Sequence, residues 1–155
     1  MSGEPPPQHY GWSRFEELCE LLAADVRTSD WQVDTIIGLE TSGAYAAAQL
    51  CVRLGAEHMI VVDVAKEPKA GGGYTRRLGG LAILNPLLIR GKRVLCVDDG
   101  IETGALLTEL PALVQALGGE PRPAALVGIG NYPALPNLYV AQRLARPPIF
   151  PWKRT

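Results

Sequence analysis

The chain has 155 residues, a length that usually forms one domain with a substantial hydrophobic core. Hydrophobic residues make up 47% and charged residues 20%, which is the composition of a folded globular protein and excludes wholesale disorder. The 15 Lys and Arg residues are balanced by 16 Asp and Glu residues, so the chain lacks the basic surplus of a protein whose main partner is a nucleic acid.

The cysteines and the apolar segments point away from several further classes of protein. Cys19, Cys51 and Cys96 lie among apolar neighbours without the spacing of metal ligands, so we expect buried thiols rather than disulfides or a zinc site. The N-terminal sequence has neither the basic nor the apolar segment of a secretion signal, and no apolar run reaches the ~18 residues of a membrane span. We therefore expect a cytoplasmic protein that does not bind membranes.

The first predicted elements are an arm and a helix. Residues 1–11 are polar and proline-rich, which predicts a flexible N-terminal arm ahead of a single domain over residues 12–155. Ser13 and Glu16 form the S-x-x-E pattern of a capping box. Apolar residues at helical spacing follow, so the pattern predicts an amphipathic helix from Ser13 to about Arg27.

Strands and helices alternate through the middle of the chain. The predicted strands are residues 35–39, 59–64, 93–97 and 124–129, and the predicted helices between them are residues 44–54 and 105–117. Gly55 is expected to end the first of these helices, and Pro111 to kink the second or delay its start. Continuous apolar strands separated by helices are typical of an α/β fold, with a parallel twisted sheet flanked by helices; a short proline-broken C-terminal tail follows.

Three segments follow predicted strands and carry polar residues. Residues 66–80 contain three consecutive glycines and four basic residues, which predicts a mobile functional loop rather than an ordinary connection. Residues 40–43 and 98–106 are the other two segments. Because ligands bind beyond the carboxyl ends of parallel strands, we expect the three segments to meet in one crevice.

The most informative of these segments begins with two adjacent acids. Asp98 and Asp99 stand at a strand end, where acids near a core are costly unless they serve a ligand or a metal. Thr103 and Gly104 open the next helix, whose free N–H groups and positive dipole end favour a phosphate. The pattern predicts a site for a phosphorylated sugar; the alternative is a solvated turn in which an Asp caps the helix.

Residues 94–104, Val-Leu-Cys-Val-Asp-Asp-Gly-Ile-Glu-Thr-Gly, resemble the phosphoribosyl-pyrophosphate (PRPP) motif of type I phosphoribosyltransferases. In that family an apolar strand precedes two acids, and Thr-Gly follows shortly after. The order of the other parts is also similar, with residues 40–43 in the place of the pyrophosphate-binding turn and residues 66–80 in the place of the flexible catalytic loop. The resemblance extends over about residues 12–130 and implies the fold of that family, including its C-terminal hood.

The resemblance also implies roles for individual residues. The PRPP-binding residues would be Asp98, Asp99, Glu102, Thr103, Gly104, Ala105 and Leu106, and Asp98 and Asp99 would also be ligands of Mg²⁺, which prefers carboxylate oxygens. The pyrophosphate-binding residues would be Glu40, Thr41, Ser42, Gly43, Lys69, Arg76 and Arg77. Glu102, Lys66 and Asp99 would be catalytic, and Trp152 and Tyr132 would bind the base.

The implied reaction transfers the phosphoribosyl group of PRPP to a nucleobase and releases pyrophosphate. Glu102 stands where purine-type members carry an Asp, and the C-terminal Phe-Pro-Trp resembles small xanthine/guanine-type members, so a purine is favoured. Against this, residues 66–74 resemble the lysine-rich loop of orotate-type enzymes. Family members are commonly homodimers, and residues 81–89 are apolar enough for such an interface or for a strand that faces the core.

The chain departs from the family pattern at three places, the first of which is Glu102, one methylene longer than the family Asp. Residues 127–132 lack the lysine with which members that use 6-oxopurines bind the 6-oxygen. Leu106 replaces a threonine, so it either removes a hydroxyl from the phosphate cradle or points into the core as the first apolar residue of its helix. Three functions therefore stay open: a purine transferase, an orotate-type or other-base transferase, and a non-catalytic regulator that binds PRPP or a nucleotide.

Overall fold

The computed structural model describes residues 3–79 and 85–153. Its helices are α1 (Trp12–Thr28), α2 (Ser42–Leu54), α3 (Pro86–Ile89) and α4 (Ala105–Ala116). Its strands are β1 (Thr35–Leu39), β2 (His58–Val62), β3 (Val64–Pro68), β4 (Tyr74–Leu78), β5 (Arg93–Ile101), β6 (Glu120–Ile129) and β7 (Tyr139–Leu144). Five strands form a parallel sheet in the order β2-β1-β5-β6-β7, whereas β3 and β4 form a separate antiparallel hairpin. The predicted α/β fold is confirmed.

Alternation along the central strands builds one core on each face of the sheet. Ile36 and Leu95 pack in the cluster that α1 and α2 cover, and Ile37 and Cys96 pack in the cluster that α4 covers. Successive residues of a strand point to opposite faces, so a strand that is buried throughout, such as β1, is apolar on both faces. Its polar residue Thr35 is also buried, and its hydroxyl donates to the Leu88 carbonyl of α3 at 2.8 Å. Burial on both faces is why the strands read as continuous apolar runs.

Two of the three cysteines are buried as predicted, and Cys51 is half-buried. All three are free, and Cys19 and Cys96 are fully buried. Burial raises the pKa of each thiol, to about 12 for Cys19, so none is activated as a thiolate. Across residues 3–79 and 85–153, no helix combines the length and the apolar character that crossing a bilayer requires.

The start of α1 differs from the sequence prediction. The residue before the helix is Gly11, and no side chain caps the first turn, so the predicted capping box of Ser13 and Glu16 is wrong. The reason lies in the arm: the Tyr10 N–H donates to the Ile149 carbonyl at 2.8 Å, and the Tyr10 side chain is buried. Anchoring of the arm to the C-terminal segment sets the position at which α1 begins, and the end of the predicted flexible arm is packed.

Three other segments also differ from expectation. The proline-broken tail contains β7, which pairs parallel to β6 between two proline-rich stretches. Pro111 lies inside α4 without ending it. Within the predicted apolar interface segment, residues 81–84 lie outside the described residues, and the rest forms the short helix α3 instead of a strand, with Ile89 buried and Leu87 83% exposed.

Candidate functional site

The pyrophosphate-turn candidate and the acid pair are neighbours. β1 and β5 are adjacent strands, and α2 begins directly after β1. A Cβ on Gly43 would lie 2.7 Å from the Val97 carbonyl oxygen and 3.2 Å from the Asp98 Cα, both backbone atoms. Only glycine therefore lets the first turn of α2 lie this close to the end of β5. The peptide bond between Glu40 and Thr41 in this turn is cis.

Asp98 is the buried member of the acid pair. Its side chain is 3% exposed, whereas Asp99 is half-buried. The Asp98 carboxylate accepts a hydrogen bond from the Asp99 N–H at 2.8 Å and one from the Arg76 guanidinium at 3.2 Å. Burial and, next, the charge of Asp99 raise the pKa of Asp98 to about 7, against the opposing effect of Arg76. Because burial disfavours the bare charge, this carboxylate is a strong site for a proton or for a further cation.

The segment after the acids leads into the N-terminus of α4. β5 extends through Ile101, four residues beyond the predicted end at residue 97, and the chain then turns at Glu102 and Thr103, both exposed. Gly104 has φ of 78°, and a Cβ on it would lie 2.5 Å from Cγ of Pro133, so the tail packs directly on this turn. The Thr103 hydroxyl accepts a long hydrogen bond from the Ala105 N–H at 3.4 Å. α4 therefore begins at Ala105, after a short turn that follows the acid pair along the chain.

Leu106 is a core residue. Its side chain is 5% exposed and belongs to the same cluster as Ile37 and Leu110. Of the two predicted possibilities, the structure supports the second, in which Leu106 is the first apolar position of its helix. As a phosphate ligand Leu106 therefore has only its backbone N–H to offer, and its side chain is removed from the predicted set.

The predicted mobile loop is an antiparallel hairpin. β3 and β4 pair in register, with Lys66 opposite Arg76, and three glycines with positive φ form the turn between them. Of the four predicted cations, Arg76 contacts the acid pair, whereas Lys66, Lys69 and Arg77 are exposed. Arg77 lies 3.9 Å from Glu67 within the hairpin itself. The glycine-rich composition of this segment did not indicate strands, because strand pairing depends on residues on both sides of the glycine turn.

The two predicted base-binding residues lie in different surroundings. The Tyr132 ring covers Gly128, where any Cβ would overlap the ring, and the Arg143 guanidinium lies 5.8 Å from the ring centroid. Since the next residue, Pro133, contacts Gly104, Tyr132 lies near the start of α4.

Trp152 instead belongs to an aromatic cluster between α1 and α2. Its ring stacks with Phe150 at 4.5 Å and with Tyr45 at 5.2 Å between centroids, and it contacts Phe15 edge-on. Its indole N–H is buried without a hydrogen-bond partner among the described residues. This packing argues against the predicted role of Trp152 in stacking on a base, and the sequence did not signal it because Phe15 and Tyr45 come from distant elements.

A cleft that the sequence did not reveal borders the pyrophosphate-turn candidate. It has a volume of about 350 Å³ and lies between α1 and α2, where Trp12, Thr41 and Tyr45 contribute to its wall. Trp12 is 50% exposed and Tyr45 40% exposed. The available sequence signal was that Tyr45 and Ala48 occupy outward positions of α2.

The acid pair suits a hard cation such as Mg²⁺. Two adjacent carboxylates supply oxygen ligands, one of them nearly inaccessible to water. In the described part of the chain, no group of three or more His, Cys, Asp or Glu side chains surrounds a common point. Mg²⁺ binds readily through one or two carboxylates when substrate and water oxygens complete its shell, so the residues present fit a cation that arrives with a phosphorylated substrate.

Comparison with known proteins places these features in a family. The family model described as phosphoribosyl transferase domain matches residues 10–126. The adenine phosphoribosyltransferase of Geobacter metallireducens is 30% identical over 110 residues, 68% of this chain and 63% of that protein. The hypoxanthine/guanine phosphoribosyltransferase of Methanosarcina acetivorans is 33% identical over 112 residues, 68% of this chain and 56% of that protein.

Similarity is not confined to proteins named as enzymes. The transcriptional regulator GfcR 1 of Methanosarcina barkeri is 28% identical over 115 residues, 71% of this chain and 52% of that protein. The chain thus spans about half to two thirds of the length of these relatives. Among solved structures, a purine phosphoribosyltransferase from Pyrococcus horikoshii has a TM-score of 0.78 and 26% identity, covering 96% of this chain and 95% of that one.

Proposed function

Because this chain belongs to the phosphoribosyltransferase family, we propose that it transfers the phosphoribosyl group of PRPP to a purine base and releases pyrophosphate. The observation that carries the proposal is the acid pair at the end of β5, packed against the first turn of α2 and followed by the N-terminus of α4. Carboxylates suit ribose hydroxyls and Mg²⁺, and helix N-termini suit phosphates.

In this arrangement, each phosphate-bearing end of PRPP binds at the N-terminus of a helix, where the helix dipole is positive. α2 begins after β1 and α4 begins after β5, and these two strands are neighbours. The turn at residues 40–43 binds the pyrophosphate, and residues 102–106 bind the 5-phosphate through backbone N–H groups of Thr103, Gly104 and Ala105. Asp98 and Asp99 hold the ribose hydroxyls between the two helix ends, directly or through Mg²⁺. Held by Asp98 and Asp99, a Mg²⁺ ion would supply stabilisation of the negative charge on the leaving pyrophosphate.

In the reaction, the bond from the ribose C1 to pyrophosphate breaks and a bond from C1 to a nitrogen of the base forms. The nitrogen loses a proton, which the exposed Glu102 carboxylate accepts or positions. The hairpin cations Lys66, Lys69, Arg76 and Arg77 neutralise the pyrophosphate, and the closed hairpin keeps water from the sugar. The transition state carries positive charge on the ribose, which the carboxylates beneath it stabilise.

Several observations support a purine over another base. Glu102 has the carboxylate that purine-type members use at its position, and the similar proteins include adenine and hypoxanthine/guanine phosphoribosyltransferases. Tyr132, near the start of α4, is the remaining aromatic candidate for contact with the base.

We propose that the protein acts as a homodimer in the cytoplasm. The support for self-association is apolar surface on the described part of the chain: Val52 on α2 is 82% exposed, and Met59 and Val61 on the edge strand β2 are 42% and 47% exposed. Free thiols fit a reducing compartment. Light scattering on the purified chain tests the dimer, and a monomer at micromolar concentration contradicts it.

A second candidate function is a regulator that binds PRPP without turnover. The similarity to the Methanosarcina regulator favours it, as do the leucine at residue 106 and the absence of a lysine in residues 127–132. An orotate-type transferase is the third possibility, because residues 66–74 resemble the loop of those enzymes.

One panel separates these functions. The protein is incubated with PRPP, Mg²⁺ and each of adenine, hypoxanthine, guanine, xanthine and orotate, and pyrophosphate release is measured. Release with a purine supports the proposal, release with orotate alone supports the orotate-type alternative, and PRPP binding without release supports the regulator. In calorimetry, Asp99→Asn is expected to weaken PRPP binding more than tenfold, above ~1.4 kcal/mol, and the exposed control Asp25→Asn is not. Wild-type protein that binds no PRPP refutes the proposal.

A further inference from the structure

The ion pair of Arg76 and Asp98 differs from the other ion pairs of the described residues in the burial of its acid. The pair of Arg76 and Asp98 joins a carboxylate that is 3% exposed to a guanidinium that is 38% exposed. In the remaining ion pairs the acids are 33–80% exposed. A surface pair contributes little to stability, whereas a buried carboxylate requires a cation or a proton. Arg76 therefore supplies the cation that the buried Asp98 carboxylate requires, and it is not an incidental surface contact.

Burial leaves the Asp98 carboxylate few open directions, and each of its two oxygens already accepts one hydrogen bond. One carboxylate oxygen accepts the Asp99 N–H, and the other accepts the Arg76 guanidinium. The first contact comes from the backbone of the same strand and stays when the site fills. Because the Asp98 side chain is only 3% exposed, a metal ion or a ribose hydroxyl reaches this carboxylate most readily from the side that the partly exposed Arg76 now occupies.

The hairpin that carries Arg76 is attached to the rest of the protein at its base. Its end residues Val64 and Leu78 pack against the core cluster that α4 covers, and the Leu78 N–H makes a longer contact of 3.5 Å with the Glu109 carboxylate. Residues 66–74 are exposed, including the glycine turn. Because Arg76 is already partly in water, it can leave Asp98 without a large loss of packing.

We propose that Arg76 is an internal counter-ion: it occupies the acid pair while the crevice is empty, and it leaves when Mg²⁺ and PRPP bind. This inference rests on the proposed function for its ligands. Arg76 is then a positioning residue that links the position of the β3–β4 hairpin to occupancy of the site. Arg76 and an incoming metal ion compete for the same carboxylate, so by linkage each weakens the binding of the other by the same factor.

The first test uses Mn²⁺ as the probe, without PRPP, with free Mn²⁺ measured by electron paramagnetic resonance. Arg76→Gln removes the guanidinium that competes with Mn²⁺ for Asp98, so it is expected to tighten Mn²⁺ binding by about tenfold or more in alkaline buffer, where protons compete least for the carboxylate. Arg76→Lys, which keeps the charge, is expected to stay within about threefold of wild type. The matched control is Arg93→Gln, which removes a guanidinium 3.8 Å from Asp34 at the other end of β5 and should leave Mn²⁺ binding unchanged.

The second test measures hydrogen exchange of the hairpin, residues 64–78, in the ligand-free protein. Arg76→Gln is expected to speed exchange there several-fold, and Arg93→Gln is not. If Arg76→Gln binds Mn²⁺ no more tightly than wild type, or if hairpin exchange is unchanged, the proposal is overturned. Both tests omit PRPP, so failure of the wild type to bind PRPP refutes the proposed function while the Mn²⁺ and exchange results still decide the role of Arg76.

Discussion

Replacing Leu106 by threonine separates a phosphate-binding role of this position from a packing role. Threonine is the residue that the family pattern has here, and on that pattern its hydroxyl would bind the 5-phosphate. In the structure the Leu106 side chain is 5% exposed and packs with Ile37 and Leu110 beneath α4. We therefore expect Leu106→Thr to destabilise the protein without strengthening PRPP binding.

The magnitude follows from the change in buried atoms. Truncating a buried leucine to alanine costs about 2–5 kcal/mol, and threonine refills part of that space. Its hydroxyl is polar, but in a helix it can bond to the carbonyl four residues earlier, which offsets part of the cost of burying it. The expected loss is about 2–3 kcal/mol in the free energy of unfolding. For a chain of this length that lowers Tm by about 4–12 °C, at about 2–4 °C per kcal/mol.

The assay pairs thermal unfolding with calorimetric titration of PRPP and Mg²⁺ on the same preparations. Leu106→Met is the matched control, because it conserves volume and should cost less than ~1.5 kcal/mol. A hydrogen bond to a charged group contributes about 1.5–3 kcal/mol, which corresponds to PRPP binding about tenfold tighter or more. Tighter binding of that size at an unchanged Tm would refute the core assignment of Leu106.

Three further predictions test other parts of the site. With the pKa of Asp98 raised from 3.8 to about 7, the folded protein holds a proton that the unfolded chain has lost. The metal-free protein should therefore lose up to about 4 kcal/mol of unfolding free energy as pH rises from about 4 to about 7. In thermal melts across this pH range, Asp98→Asn should lose much less stability than wild type. If the Tm of both proteins falls in parallel as pH rises, the raised pKa of Asp98 is contradicted. Gly104→Ala should lower Tm, because φ is 78° and its Cβ would lie 2.5 Å from Cγ of Pro133; an unchanged Tm argues against the contact. Glu102→Gln should lower turnover ~10²–10⁴-fold while PRPP affinity in calorimetry changes little, and turnover within about twofold of wild type removes its role.

The fold class and the location of the candidate site followed from local signals in the sequence. The strand at residues 35–39 and the helix that ends at Gly55 appear as predicted, because apolar periodicity and a left-handed glycine act over a few residues. Adjacent acids at the end of an apolar strand identified the crevice for the same reason: the carboxyl ends of neighbouring parallel strands lie at one edge of the sheet.

The tertiary structure alone decided which side chains serve the crevice and which serve the core. Arg76 contacts Asp98 across 22 residues of chain, and the sequence ranked it no higher than three other cations. Trp152 and Leu106 fitted family positions for a base and a phosphate, but Trp152 stacks with Tyr45 and Leu106 lies beneath α4. Residue type and spacing determine which chemistry a side chain is capable of. Its burial depends on residues far along the chain, which contact the side chain only when the sheet and its helices pack.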